Sequence, residues 1–170
     1  MVDTLGQQFT AQIPALRRYA RALLGSSSDV EDLVQETLTR ALTKRHVWDR
    51  VRDVRAYLFT TLHNLYVDWM GRQARQGKLT PIENVEWQLH RPPEQPGSLA
   101  LRELDRGIRQ LPMEQRQVVL LVGLEGMRYK AVAEMLDIPI GTVMSRLSRG
   151  RETLRRFMEG EERPSIRRVK

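Results

Sequence analysis

Between Gly71 and Ser98 the chain reads GRQARQGKLTPIENVEWQLHRPPEQPGS, and no helical or strand period survives across it. Four of the eight prolines and three of the eleven glycines fall in this stretch. Proline removes a backbone donor and pushes the preceding residue out of the helical region, while glycine stays conformationally free. An aperiodic run of roughly 25 residues is uncommon inside one compact domain, so it reads as a flexible linker between two. The chain is therefore expected to divide into a unit at 1–75, a linker at 76–98, a second unit at 99–160 and a basic tail at 161–170. Within the linker Ile82, Val85, Trp87 and Leu89 alternate with polar residues, which suits a short strand or equally a contact segment for a partner.

Both flanking segments read as helix. Phe9, Ile13, Leu16, Ala20 and Leu23 recur at helical spacing, and Gly25-Ser26-Ser27-Ser28 ends that stripe. Ser28 with Glu31 has the form of a capping box opening a second helix, whose inward face is Val30, Leu33, Val34, Thr37, Leu38 and Ala41. Residues 43–52 read as a turn with a short helical piece. A third helix is expected from near Asp53, burying Leu58, Leu62, Leu65 and Trp69, with the pattern failing from Gly71. After the linker, Ser98 is a candidate N-cap for a helix carrying Leu101, Leu104, Ile108 and Leu111, which Pro112 interrupts. Gln117 to Val122 is apolar on most sides, as expected of a central helix closed by Gly123 and Gly126. The fold class is all-α: two small helical domains.

The last such segment, YKAVAEMLDIPIGTVMSRLSRGR from Tyr129 to Arg151, has the pattern of a helix-turn-helix. Val132, Ala133 and Leu136 supply the apolar face of a short first helix, and Asp137-Ile138-Pro139 break it. Ile140, Val143 and Leu147 give the second helix an inward stripe, and that helix is expected to run to Met158. Thr142, Ser145, Arg146 and Arg149 are left on other faces, residue types that reach phosphates and base edges in a major groove. The net charge of +7 sits unevenly: residues 140–170 carry 9 Lys and Arg against 4 Asp and Glu. Such a basic end is the footprint of a polyanion binder or, more plainly, a solvated tail.

Several classes are excluded or disfavoured. With no cysteine there is no disulfide framework and no thiolate chemistry, which fits a reducing compartment. No apolar run is long enough for a membrane span, the first residues lack a signal-peptide pattern, and the cytoplasm is the expected location. His46, His63 and His90 stand apart without metal-ligand spacing, and no phosphate-binding glycine loop appears, so neither an enzyme nor a cofactor is expected.

LPMEQRQVVLLVGLEGMRYKAVAEMLDIPIGTVMSRLSRGRETLRR resembles region 4 of bacterial sigma factors. DVEDLVQETLTRAL resembles their region 2 helix, and RAYLFTTLHNLYVDWM the helix after it. Two such domains with no third between them resemble the extracytoplasmic-function sigma factors, and VGLEGMRY with AQIPALRRYARALLG leans towards the alphaproteobacterial general-stress subgroup. The resemblance implies a protein that programs core RNA polymerase. Asp32, Gln35 and Glu36 would meet basic residues of a polymerase subunit, with Leu33 and Val34 at the seam; on periodicity alone this is a solvated acidic face near a helix N-terminus.

Tyr57, Thr61, Asn64 and Asp68 recur on a second face of the third helix, and the resemblance places there the capture of an unpaired base of the −10 element. Asn64 offers donor and acceptor together, so it can read a base edge. Arg52, Arg55, Arg72 and Arg75 would hold the backbone around it. For the double-stranded −35 element the candidates are Thr142, Ser145, Arg146 and Arg149, with Arg128 and Lys130 as phosphate anchors and free N–H groups at Gly141 and Thr142. Met144 stands where the family often has a cation. An anti-sigma factor that masks both domains is the remaining implied partner. A LuxR-type regulator that leaves initiation to another sigma factor, and a helical adaptor that does not read DNA, are the rival readings.

Overall fold

The computed structural model describes residues 2–25, 27–44, 51–77 and 98–160. Residues 45–50 of the expected turn at 43–52, the strand or contact segment at Ile82–Leu89 and the tail at 161–170 lie outside the described residues. The described residues form helices α1 (Val2–Leu24), α2 (Ser27–Thr43), α3 (Val54–Arg75), α4 (Ser98–Gln110), α5 (Met113–Val118), a π-helical turn (Val119–Leu124), α6 (Tyr129–Leu136) and α7 (Ile140–Met158), with no strand among them. They fall into two compact units, one on residues 1–89 and one on residues 90–170, except that 133–137 groups with the first.

In the N-terminal unit α1, α2 and α3 contact one another pairwise. Leu16, Tyr19 and Ala20 of α1, Val30 and Val34 of α2, and Leu58, Phe59 and Leu62 of α3 are almost wholly buried. Each large aliphatic or aromatic side chain so buried contributes about 1.5–3 kcal/mol. Tyr19 and Phe59 meet at 5.6 Å between ring centroids, tilted by 44°. Helix α3 starts next to Asp53, as expected, and Asp53 proves to be its cap, its carboxylate accepting from the Ala56 N–H at 3.0 Å.

Three expectations in this unit need correction. Helix α2 begins at Ser27, one residue before the expected cap, and Glu31 has a partner outside the helix. Its carboxylate takes a bidentate bond from Arg17 of α1, at 2.8 and 2.9 Å. An interhelical fork–fork pair offers Glu31 a charged partner, which a backbone N–H cannot match. The helical pattern does not fail at Gly71: α3 continues to Arg75, because Arg72 and Arg75 sit favourably at the negative end of the helix dipole. Trp69 is only half-buried, stacked against Tyr66 at 6.5 Å.

The C-terminal unit is built around α7, which contacts α4, α5 and the π-helical turn. Val143, Leu147 and Gly150 are its buried positions. Two close backbone approaches set this packing. A Cβ placed on Gly150 would lie 2.6 Å from Val119 Cγ2, and one on Gly107 of α4 would lie 2.8 Å from Phe157 Cδ1. At both positions a Cβ would force the facing side chain to shift.

Arg116, at 4% exposure, is the least expected core residue. Its guanidinium donates to the carbonyls of Ile108 at 3.0 Å, Leu111 at 3.2 Å and Arg109, all at the C-terminal end of α4. Carbonyls at a helix C-terminus are short of helical partners, although Ile108 O also accepts from the Leu111 N–H at 3.2 Å, and the cation faces the negative end of the dipole.

Here too the sequence reading is corrected. The central helix is short and passes into a π-helical turn in which the Glu125 N–H reaches back five residues to the Leu120 carbonyl. Leu101 and Leu104 were expected inside but are exposed. Helix α4 meets α7 around Gly107, near its C-terminal end, so its first turns extend past the surface that would cover them. Ile140 is also exposed, at 49%, since α7 starts one turn before its first buried residue, Val143.

Candidate functional site

On the N-terminal unit, α2 and α3 leave a groove of about 210 Å³. Asp29, Asp32 and Glu36 line one side, Leu33, Tyr66 and Trp69 provide apolar surface, and Arg72 lines it from α3. Of the residues expected to meet polymerase, Asp32, Gln35 and Glu36 are exposed, at the i, i+3, i+4 spacing of one face. Leu33 is buried but lines the groove. Val34 is not at the seam: at 2% exposure it belongs to the core between the helices. Glu36 pairs with Arg40 at 2.7 Å, both half-exposed, so a partner cation competes with a weak intrahelical pair.

The second surface runs along α3. Tyr57, Thr61, Asn64, Asp68 and Arg72 follow one another at steps of four, three, four and four, which keeps them on one face. Asn64, Asp68 and Arg72 are exposed, and Tyr57 and Thr61 are half-buried. The Thr61 hydroxyl donates to the Tyr57 carbonyl at 2.9 Å, leaving only its acceptor capacity outward. Arg55 does not stand free beside this face: it donates to Gln12 of α1 at 2.8 Å and lies 4.9 Å over the Phe59 ring. His63, one residue from Asn64, is buried, and burial lowers its pKa below the usual imidazole value.

The third surface is α7. Asp137 takes up a left-handed φ of 52° in the turn before it, and Pro139 opens the helix. The Pro139 carbonyl accepts from both Thr142 N–H at 2.9 Å and Val143 N–H at 3.2 Å, so the N–H of Thr142 is not available to a phosphate. Arg128, Lys130 and Arg149 are exposed, and Thr142 and Ser145 are half-buried. The Ser145 hydroxyl donates to the Thr142 carbonyl at 3.1 Å.

Arg146 differs from the other cations. Its side chain is 21% exposed, and its guanidinium lies 3.1 Å from the carboxylate of Glu114 on α5. Met144 is 52% exposed and lines a groove of about 490 Å³ with Tyr129, Ser148 and Arg151. The basic end of α7 is partly self-neutralised. Glu152 bonds Arg155 at 2.9 Å and Arg156 at 3.1 Å, and Arg155 also reaches Glu159 at 2.5 Å. The hydrogen bond from Arg155 holds the Glu152 carboxyl at about 2, well below the usual carboxylate range. Among the described residues no group of carboxylates and histidines is placed to hold a metal, and no helix is long and apolar enough to cross a membrane.

Sequence reasoning missed Glu114, Trp69 as a groove residue and the internal pairing of α7. The i, i+3 and i+4 spacing of Glu152 with Arg155 and Arg156 was a readable signal for the last of these; no spacing rule connects Glu114 with Arg146.

Comparison with known proteins agrees with this layout. Residues 9–63 match the family described as the Sigma2 domain of PhyR, and residues 101–154 match Sigma-70, region 4. The ECF RNA polymerase sigma factor EcfG of Rhodopseudomonas palustris is 32% identical over 158 residues, covering 91% of this chain and 84% of that protein. SigF of Caulobacter vibrioides, also an ECF RNA polymerase sigma factor, is 35% identical over 142 residues, covering 82% and 76%. The sigma factor RpoE of Bartonella quintana, solved in complex with the anti-sigma factor NepR, superposes with a TM-score of 0.76 at 30% identity, covering 93% of this chain and 98% of that one. With two helical units, an acidic groove on one and a basic helix-turn-helix on the other, this chain belongs to the extracytoplasmic-function sigma factors of bacterial RNA polymerase, of the alphaproteobacterial general-stress type.

Proposed function

We propose that α2 docks on core RNA polymerase through Asp32, Gln35 and Glu36 beside the groove, while α7 reads the −35 duplex and the Asn64 face of α3 captures an unpaired base of the −10 element. The observation that carries this reading is a pair of local faces of opposite charge. Exposed Asp32 and Glu36 form an acidic row on α2 of one unit, and exposed Arg128, Lys130 and Arg149 lie on the helix-turn-helix of the other. Carboxylates repel phosphate, so an exposed acidic row in a DNA reader suits a basic protein partner. Exposed cations on a helix of major-groove size suit the duplex.

An inhibitory protein partner fits the same chain. The Bartonella relative was solved with an anti-sigma factor, and α4 here exposes Leu99, Leu101 and Leu104 as apolar surface for such a partner. Purified chain added to core polymerase should give initiation at defined start sites in a genomic DNA library. Asp32→Arg should abolish initiation by weakening polymerase binding, whereas Arg149→Ala should weaken promoter selection and leave polymerase binding intact. Initiation that requires a second sigma factor would instead identify a regulator.

A further inference from the structure

We infer that Glu114 is a positioning residue for promoter reading: it holds the Arg146 guanidinium in the orientation that reads a guanine of the −35 duplex. The inference rests on the assignment of α7 to that duplex. Arg146 lies one turn from Thr142 and three residues from Arg149, so all three border one side of α7. Unlike the exposed Arg149, it is half-buried and held by a carboxylate. Its Nη2 lies 3.1 Å from Glu114 Oε2, and its side chain is 21% exposed where that of Glu114 is 70% exposed. A guanidinium carries five donors in a planar fork, so one contact to a carboxylate leaves a free edge for guanine O6 and N7. An arginine already fixed in its reading orientation loses less side-chain freedom when the base arrives.

A pair with one partner this exposed adds little to stability. Its effect on DNA has two opposite parts. The Glu114 carboxylate stands near incoming phosphates and lowers affinity for any duplex. By restraining Arg146 it raises the difference between a right and a wrong base. Removing only the charge of Glu114 therefore strengthens binding to all DNA while weakening discrimination. A residue that merely stabilised the fold would move both in the same direction.

The test uses the full chain bound to core polymerase. The promoter is the strongest start site mapped after overexpression, and each −35 guanine is replaced in turn by 7-deazaguanine, which lacks the N7 acceptor. For the wild-type chain one position should show a loss of about tenfold, at the lower end of a bidentate contact's worth, because the N7 bond is lost while the O6 bond remains. Arg146→Ala should remove that penalty. Glu114→Gln should shrink it to about threefold while increasing affinity for unrelated duplex and steepening the salt dependence by about one counterion. In the Arg146→Ala background Glu114→Gln should leave the base penalty unchanged. A full tenfold penalty in Glu114→Gln, or no position whose penalty depends on Arg146, overturns the role of Glu114 and leaves the −35 assignment standing if Arg149→Ala still weakens promoter selection. A wild-type chain with no sequence preference overturns both.

Discussion

Arg116→Met tests the buried cap on α4 most directly. Methionine keeps much of the apolar stem and removes the guanidinium. Three carbonyls lose a donor, but Ile108 O also accepts from the Leu111 N–H at 3.2 Å, so its loss is partly covered. The carbonyls of Arg109 and Leu111 carry the main effect. An unsatisfied buried carbonyl costs about 1–3 kcal/mol, and the wild type in turn bears the desolvation of a buried cation, which the variant avoids. The net loss is about 3 kcal/mol.

A unit of roughly 60 residues is stable by only about 3–9 kcal/mol, so the variant sits at the edge of unfolding. Urea titration of the full chain resolves the outcome, because all three tryptophans, Trp48, Trp69 and Trp87, precede α4. Far-UV circular dichroism should show an early transition that tryptophan fluorescence does not follow. Arg116→Lys should behave similarly, since one ammonium cannot span three carbonyls. A loss below about 1 kcal/mol in both variants would refute the capping argument.

Other outcomes are equally concrete. Gly150→Ala brings a Cβ 2.6 Å from Val119 Cγ2 and should cost about 1–3 kcal/mol in urea titration, with partial recovery on adding Val119→Ala. Burial lowers the His63 pKa in the fold, so the unfolded chain binds a proton more readily. Stability is therefore full above the unfolded imidazole pKa near 6.5 and falls as pH drops below it; His63→Gln should remove that part of the slope between about pH 7.5 and 5.5 in thermal melts. Asn64→Ala should leave polymerase binding unchanged and reduce permanganate reactivity of −10 thymines by about tenfold if it captures a base.

Much of the fold was legible because helical spacing reports which residues share a face. The stripe Phe9, Leu16, Ala20 and Leu23, the start of α3 near Asp53 and the end of α7 at Met158 all follow from it. Spacing does not report how far a neighbouring helix extends, so Leu101, Leu104 and Ile140 looked internal and are exposed. Nor does it report which partner a charge selects. Glu31 had the position of a cap and pairs with Arg17, and Arg116, a cation that no spacing marks as internal, lies in the core. The candidate site divides in the same way. The outward faces of α2 and α3 were readable as local patterns, whereas the Arg146–Glu114 pair joins residues 32 positions apart and follows only from α5 lying against α7.

The two glycine contacts have a mechanical meaning for α7. Gly150 against Val119 and Phe157 against Gly107 are two bearings about 10 Å apart along one rod, and Ile140 at its tip overhangs the nearer bearing by about 15 Å. Half an ångström of play at either bearing tilts the rod by about 3° and swings the tip by about 0.8 Å if the far bearing gives or about 1.3 Å if the nearer one does. Recognition of a base edge tolerates about 0.5 Å. The glycines thus act as close-fitting journals, and a side chain that loosened them would blur the aim of the tip while the unit was still folded.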